Sequence, residues 1–211
     1  MIINILCDDK NSWFWDKNNN LIKEIEKKHT LNLIQNQKEI VKGDIAVFIS
    51  CNKLVENQYL ALNKSNIVCH PSNLPKGRGF SPIAWEILDS ANKLTFTLFE
   101  ANEKIDDGDI YYKKEVELSG TELNDDLRSI QAEITFELIL KYINEYPNIN
   151  GSKQIGEATY YKKRNKDDME LDIKKSIEEQ FNLLRIADNV NYPAHFHYKN
   201  QKYILKIEKE Y

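Results

Sequence analysis

The chain has 211 residues and a formal net charge of −4, with 29 Lys and Arg dispersed among 33 Asp and Glu. That length buries a real core, as one domain or as a main domain with a small appendage, and the acidic balance argues against the basic face of a nucleic-acid binder. No apolar run approaches a membrane span and no basic-then-apolar leader precedes the first strand. The three cysteines, Cys7, Cys51 and Cys69, form no Cys-x-x-Cys pair, so reduced, buried thiols in a cytoplasmic protein are expected.

Residues 1–6 are a continuous apolar run, as expected for a central strand buried on both faces. The turn after it, Cys7-Asp8-Asp9-Lys10-Asn11-Ser12, holds no glycine. A dinucleotide fold needs small residues there for its backbone to approach a pyrophosphate, which argues against NAD or FAD at that turn. Ile22, Ile25 and Leu31 flank a first helix and the next strand. Residues 44–50 and 66–70 read as further buried strands, and 81–88 as a short helix with Pro82 in its first turn. Residues 94–99 alternate Leu94, Phe96 and Leu98 with Thr95 and Thr97, a strand with two different faces. Residues 110–118 make another strand, nearer an edge because of its lysines.

Ser119 and Glu122 have the spacing of a capping box, opening a helix with Leu123, Leu127, Ile130, Ile134 and Leu138 on one stripe that Pro147 ends. Residues 148–156 read as a linker. Beyond it come a strand around 158–161, a charged loop, a helix begun by Ser176 and Glu179, and a hairpin turning through Lys199-Asn200. Within that hairpin His195 and His197 lie on one side of a strand. No third ligand is evident at metal-site spacing, so surface or interface histidines are expected rather than a metal.

Residues 69–110 carry most of the functional signal. The apolar run Asn66-Ile67-Val68-Cys69 delivers His70 to a Pro- and Gly-rich loop, and Asp106-Asp107-Gly108-Asp109 follows 36 residues after the histidine. Carboxyl ends of parallel strands converge on one crevice, so a His and an Asp leaving neighbouring strands are expected to face the same cavity. His70-Pro71-Ser72-Asn73-Leu74-Pro75-Lys76-Gly77-Arg78-Gly79 and Asp106-Asp107-Gly108-Asp109-Ile110 resemble the signature of the folate-dependent formyltransferases. That family includes methionyl-tRNA, glycinamide ribonucleotide and nucleotide-sugar enzymes.

The resemblance implies an α/β, Rossmann-like catalytic domain with a mostly parallel sheet over 1–147 and a small C-terminal α+β subdomain over 156–211 ending in a hairpin. It implies N10-formyltetrahydrofolate as formyl donor, with His70 donating a hydrogen bond to the carbonyl oxygen and Asp106 holding the imidazole and helping the attacking amine lose its proton. Asp107, Gly108 and Phe80 are the expected folate contacts. From the residues alone, Asp107 and Asp109 are turn formers and Gly108 supplies a conformation closed to other residues. Asn73, Lys76, Arg78, Arg185 and Tyr192 are the expected substrate contacts. Arg78 reads equally as a forked phosphate ligand or as part of a solvated turn. Arg185 and Tyr192, in a variant of the family's Asn-x-Ile-Arg-Ala…Tyr-Pro-Gly-Ala stretch, read alternatively as a helix C-terminal cation and a packed aromatic. Trp85 reads as core.

One departure stands out: the family's Asn two residues before the histidine is Val68 here. Asn66 cannot simply replace it, and Asn73 is the better spare donor. Arg78-Gly79-Phe80-Ser81-Pro82, the stretch Glu179-Gln180-Phe181-Asn182-Leu183-Leu184-Arg185 and the little room left for a C-terminal β-barrel point to the nucleotide-sugar branch of pseudaminic-acid type. The acceptor expected from it is a UDP-linked 4-amino-4,6-dideoxy sugar, and a homodimer is the expected assembly. The alternatives are an inactive formyltransferase-fold binding module and a methionyl-tRNA formyltransferase-like enzyme.

Overall fold

The computed structural model describes residues 1–210. In chain order its elements are β1 (Ile2–Leu6), α1 (Phe14–Lys17), α2 (Asn19–Glu26), β2 (Thr30–Ile34), β3 (Gly43–Phe48), α3 (Asn57–Leu60), β4 (Asn63–His70), β5 (Arg78–Gly79), α4 (Pro82–Leu88), β6 (Lys93–Glu100), β7 (Ile110–Glu117), α5 (Asn124–Glu145), β8 (Tyr160–Tyr161), α6 (Phe181–Arg185), β9 (Ala194–Tyr198) and β10 (Gln201–Leu205). Six strands form one sheet in the order β2-β1-β3-β4-β6-β7. The first four are parallel, and β6 and β7 close the sheet antiparallel. The expected α/β architecture with a mostly parallel sheet is the one observed.

Side chains alternate across a strand, and each face here has its own core. Ile3, Ile5, Ile45, Val47 and Ile67 join α2 and α5 on one face, whereas Leu6, Ala46 and Phe48 join Ile34 and Ile40 on the other. Asn4 is the exception in β1. It is fully buried, and its amide is satisfied by Val41 O at 2.9 Å, Asn63 Oδ1 at 2.8 Å and Asn32 Nδ2 at 2.9 Å. β7 is indeed a sheet edge, and Lys93–Glu115 and Lys114–Glu137 pairs place charge along it. The expected two-faced β6 is buried on both sides, because Thr97 is fully covered and donates to Ser72 O at 2.7 Å.

Two local expectations change. The Ser119–Glu122 pair forms, with Ser119 N–H donating to Glu122 Oε1 at 2.7 Å, but it closes a separate turn. The 22-residue α5 starts later, and Leu123 N–H is taken by Asp126 Oδ2 at 2.9 Å. Residues 148–156 are bound to the sheet rather than a free linker: Ile110 and Ser152 exchange backbone bonds of 2.7 and 2.9 Å. The C-terminal part shares the main core, since Met169, Leu184, Ile186, Ala187 and Ala194 lie in the same buried cluster as Ile3 and Ile5. The final hairpin turns where expected, with Lys199 and Asn200 both at positive φ, the geometry of a tight two-residue turn.

Candidate active site

β4 ends on His70, whose side chain is nearly buried, and the loop after it is fastened at several points. Ser72 Oγ donates to Lys76 O at 2.9 Å, Gly77 N–H to Thr159 Oγ1 at 2.8 Å, and β5 pairs in parallel with β8. His70 Nε2 lies 2.8 Å from Gly77 O, and a carbonyl only accepts, so that nitrogen carries the proton. Asp106 Oδ2 stands 3.8 Å from the same Nε2.

The pair meets as expected, though not at the ends of neighbouring parallel strands. β6 runs antiparallel to β4, with Ile67 opposite Glu100 and His70 opposite Thr97. The chain leaves β6 below the histidine, and the loop from 101 to 109 climbs back to it. Three hydrogen bonds hold that loop. Asp106 adopts φ 49°, a left-handed conformation that costs a non-glycine residue stability and persists where its surroundings enforce it. Its Oδ2 accepts from Gly79 N–H at 2.8 Å, and Gln154 Nε2 donates to both Asp106 O at 2.8 Å and Gly108 O at 2.9 Å. Gly108 is required for space rather than for positive φ, because a Cβ there would run into the backbone of Glu100.

His70 and Asp106 line a cavity of about 1000 Å³ that opens over the carboxyl ends of β1, β3 and β4. One part of its wall is apolar: Phe48, Val55, Leu60, Val68, Phe99 and Ile105. Another is built by α5 and the chain after α6, including Arg128, Asp188, Asn191 and Tyr192. Phe80 and Tyr192 therefore share the histidine's cavity.

The other expected contacts lie elsewhere. Asp107 and Gly108 line a second, polar cavity of about 620 Å³ behind the loop. Arg78 faces inward, with 7 % of its surface exposed, and bonds Asp107 Oδ1 at 2.6 Å and Gln154 Oε1 at 2.7 Å. It braces the loop that carries Asp106, so Asp107 is more than a turn former. Asn73 and Lys76 are exposed, and Asn73 Oδ1 accepts from Lys113 Nζ at 2.5 Å, away from the histidine. Asn66 is also engaged, its Nδ2 donating to Leu60 O at 3.1 Å. Arg185 is 1 % exposed and bonds Glu122 Oε2 at 3.1 Å, Asn182 Oδ1 at 3.0 Å and Asn92 Oδ1 at 3.2 Å. These bonds fasten α6 to the chain ahead of α5 and leave the guanidinium no free face for a ligand. Burial pushes the Glu122 carboxyl up, and the bonds from Ser119 and Gly120 more than reverse this, to about 2.

Trp85 is half-buried, and its Nε1–H donates to Lys162 O at 2.9 Å. His195 is buried, contrary to its expected surface position, while exposed His197 bonds Glu170 at 2.8 Å. Arg164, Gln154 and Arg128 were missed by sequence reasoning. Each sits in a polar stretch with no local motif, and only the fold brings them to the loop or cavity. Among the described residues no helix is long and apolar enough to cross a membrane.

The formyl transferase family model matches residues 17–142, more than half of the chain. Methionyl-tRNA formyltransferase of Thermosipho melanesiensis is 30 % identical over 178 residues, covering 79 % of this chain and 57 % of the relative; the chain thus spans little more than half the length of the curated proteins it resembles. Among solved structures, methionyl-tRNA formyltransferase from Clostridium thermocellum superposes with TM-score 0.81 at 22 % identity, covering 100 % of this chain and 93 % of the other. A 4-N formyltransferase from Francisella tularensis superposes with TM-score 0.72 at 22 % identity, covering 100 % and 98 %. The HypX structure from Aquifex aeolicus in complex with tetrahydrofolic acid superposes at 0.74 with 16 % identity, over 97 % of this chain and 37 % of that one. A family match across the elements that carry His70 and Asp106, with the same fold from end to end, makes this chain a member of the formyl transferase family.

Proposed function

We propose that the protein transfers a formyl group from N10-formyltetrahydrofolate to the 4-amino group of a nucleotide-linked, UDP-type 4-amino-4,6-dideoxy sugar. The observation that carries the reading is the His70–Asp106 pair, 3.8 Å apart on the wall of a cavity of about 1000 Å³, large enough for a donor and an acceptor together. The apolar wall of Phe48, Val55, Leu60, Phe99 and Ile105 fits a flat pteridine, and Asn102, Lys104 and Asp106 line the same cavity beside it. Phe80 remains a donor contact in this reading, and Tyr192 an acceptor contact. Asp107 and Gly108 act indirectly, by shaping the loop.

Formyl transfer needs an amine to attack the formyl carbon, whose oxygen gains negative charge while the amine sheds a proton. His70 Nε2–H, bound to Gly77 O without substrate, turns to that oxygen, since hydrogen bonds in an unliganded site tighten onto the reacting group. Asp106 favours the positive charge that gathers on the amine nitrogen as it bonds to the formyl carbon, and takes part in removing that nitrogen's proton. Its double attachment to Gly79 and Gln154 keeps the carboxylate in place, so little reorganisation is needed.

The sugar acceptor is supported by the resemblance of the 70–82 and 179–185 stretches, by the basic cavity wall of an otherwise acidic chain, and by neighbours that include a sugar N-formyltransferase from Shewanella (TM-score 0.75, 17 % identity). The curated relatives favour methionyl-tRNA as a second reading. Incubation with N10-formyltetrahydrofolate and either UDP-4-amino sugars or methionyl-tRNA separates them. Mass spectrometry is expected to find one added carbonyl on the sugar, lost in His70→Asn. Formylation of the tRNA alone would establish the second reading.

A further inference from the structure

The large cavity is lined by six cationic side chains, Lys53, Lys104, Arg128, Lys163, Arg164 and Lys166, against three carboxylates, Asp9, Asp106 and Asp188. A concave wall focuses such an excess on whatever enters it. Three of these cations have company. Arg128 is held by Asp188 at 2.6 Å, Lys104 stands 3.9 Å from Asp107, and exposed Lys163 lies 5.6 Å above the Phe80 ring.

Arg164 differs. Its Nε is buried without a partner, and its remaining contacts are the Met169 thioether and the Tyr192 ring, 5.7 Å away. A thioether is a weak acceptor and a ring face only a partial counter-charge. The carboxylates nearby are engaged: Asp168 by Lys162 at 2.7 Å and by Asn165 N–H at 2.8 Å, Asp188 by Arg128 and Asn191. Burial disfavours the charge, with Asp168 and Asp188 opposing that only from a distance. Since an arginine stays charged, a half-buried and unpaired one on a cavity wall is costly unless a ligand completes it.

We propose that Arg164 is the anchor for the phosphate groups of the acceptor, gripping them with its planar fork while Lys163 and Lys166 on either side screen the remaining charge. This rests on the nucleotide-sugar reading. Both substrates are anionic, because the folate donor ends in glutamate carboxylates, but position favours the acceptor. Arg164 meets Tyr192 and Met169, which pack with the α5 side of the sheet, whereas the apolar slot of Phe48, Val55 and Leu60 belongs to the opposite face.

Calorimetry with UDP, uridine and 5-formyltetrahydrofolate on wild type, Arg164→Gln and Arg164→Met tests this without turnover. UDP affinity is expected to fall about tenfold to a hundredfold in both variants, the span of a charge-assisted bond, while uridine and folate affinities hold. Melting temperature should hold or rise, because an unpaired cation is removed; a sharp fall in both variants with UDP affinity retained would make Arg164 structural and overturn the proposal. So would unchanged UDP affinity, UDP failing to bind wild type, or a loss confined to the folate. Formylation assays run alongside keep the two readings apart. Arg164-dependent UDP binding without transfer to any UDP-amino sugar leaves the anion site standing and removes the sugar reading.

Discussion

Asp106→Asn isolates the charge of the loop carboxylate from its shape. The amide keeps an oxygen to accept from Gly79 N–H, and the backbone bond from Gln154 is untouched, so the loop stays where it is. What is lost is a negative charge 3.8 Å from His70 Nε2, between side chains only 9 % and 15 % exposed. At an effective dielectric constant of about 20, an attacking nitrogen held at a similar distance from the carboxylate gains about 4 kcal/mol for a full unit of positive charge. A half unit developed in the transition state gives roughly 40-fold in rate, and a full unit about a thousandfold. The assay is formylation of a UDP-4-amino sugar, with kcat separated from the two KM values. The loss should fall on kcat, with a melting temperature near that of wild type. Asp107→Asn is the contrast. It strips the buried Arg78 guanidinium of its counter-charge, so it should cost about 1–3 kcal/mol in stability and act on rate only through the loop. An Asp106→Asn enzyme turning over within threefold of wild type would refute the role given to the carboxylate.

Three further outcomes follow from the geometry. Arg185→Met removes a buried guanidinium with its bonds to Glu122, Asn182 and Asn92, leaves half-buried Glu122 beside no cation, and should lower stability by about 1–3 kcal/mol; a fully stable variant with a raised acceptor KM would return Arg185 to the substrate site. Burial, helped by Asp89, pushes the Glu86 carboxyl up to about 7, so its contribution favours folding at low pH and is lost as pH rises from about 4.5 towards 7. Glu86→Gln should therefore melt higher than wild type at pH 8, by on the order of 1–3 kcal/mol, and alike at pH 4; equal melting at both would refute the shift. Val68→Asn places an amide among Phe48, Leu60 and Ala101 and should cost about 1–3 kcal/mol without raising turnover, whereas a large rise in turnover would mean the native oxyanion site is incomplete.

The residues determined a good deal by themselves. Short apolar runs marked β1, β3 and β4, and alternation marked β6, because the burial of a strand's faces is written locally in its side chains. The spacing of Leu127, Ile134 and Leu138 marked α5, and Lys199-Asn200 marked the last turn. His70 and Asp106 stood out because their two loops resemble the formyltransferase signature in residue type, order and spacing.

Only the tertiary structure decided which way a strand runs and which side of the protein a charge ends on. Nothing in residues 93–100 distinguishes a parallel from an antiparallel partner, since pairing direction depends on a strand distant in the chain. Arg78, Arg164 and Arg185 are three similar cations in sequence. The fold gives Arg78 an aspartate and a glutamine, gives Arg185 a glutamate, and leaves Arg164 a thioether and a ring on a cavity wall. An arginine's role is set by the counter-charge that folding brings within reach, and that partner lies 29 residues away for Arg78 and 63 for Arg185, beyond any local pattern.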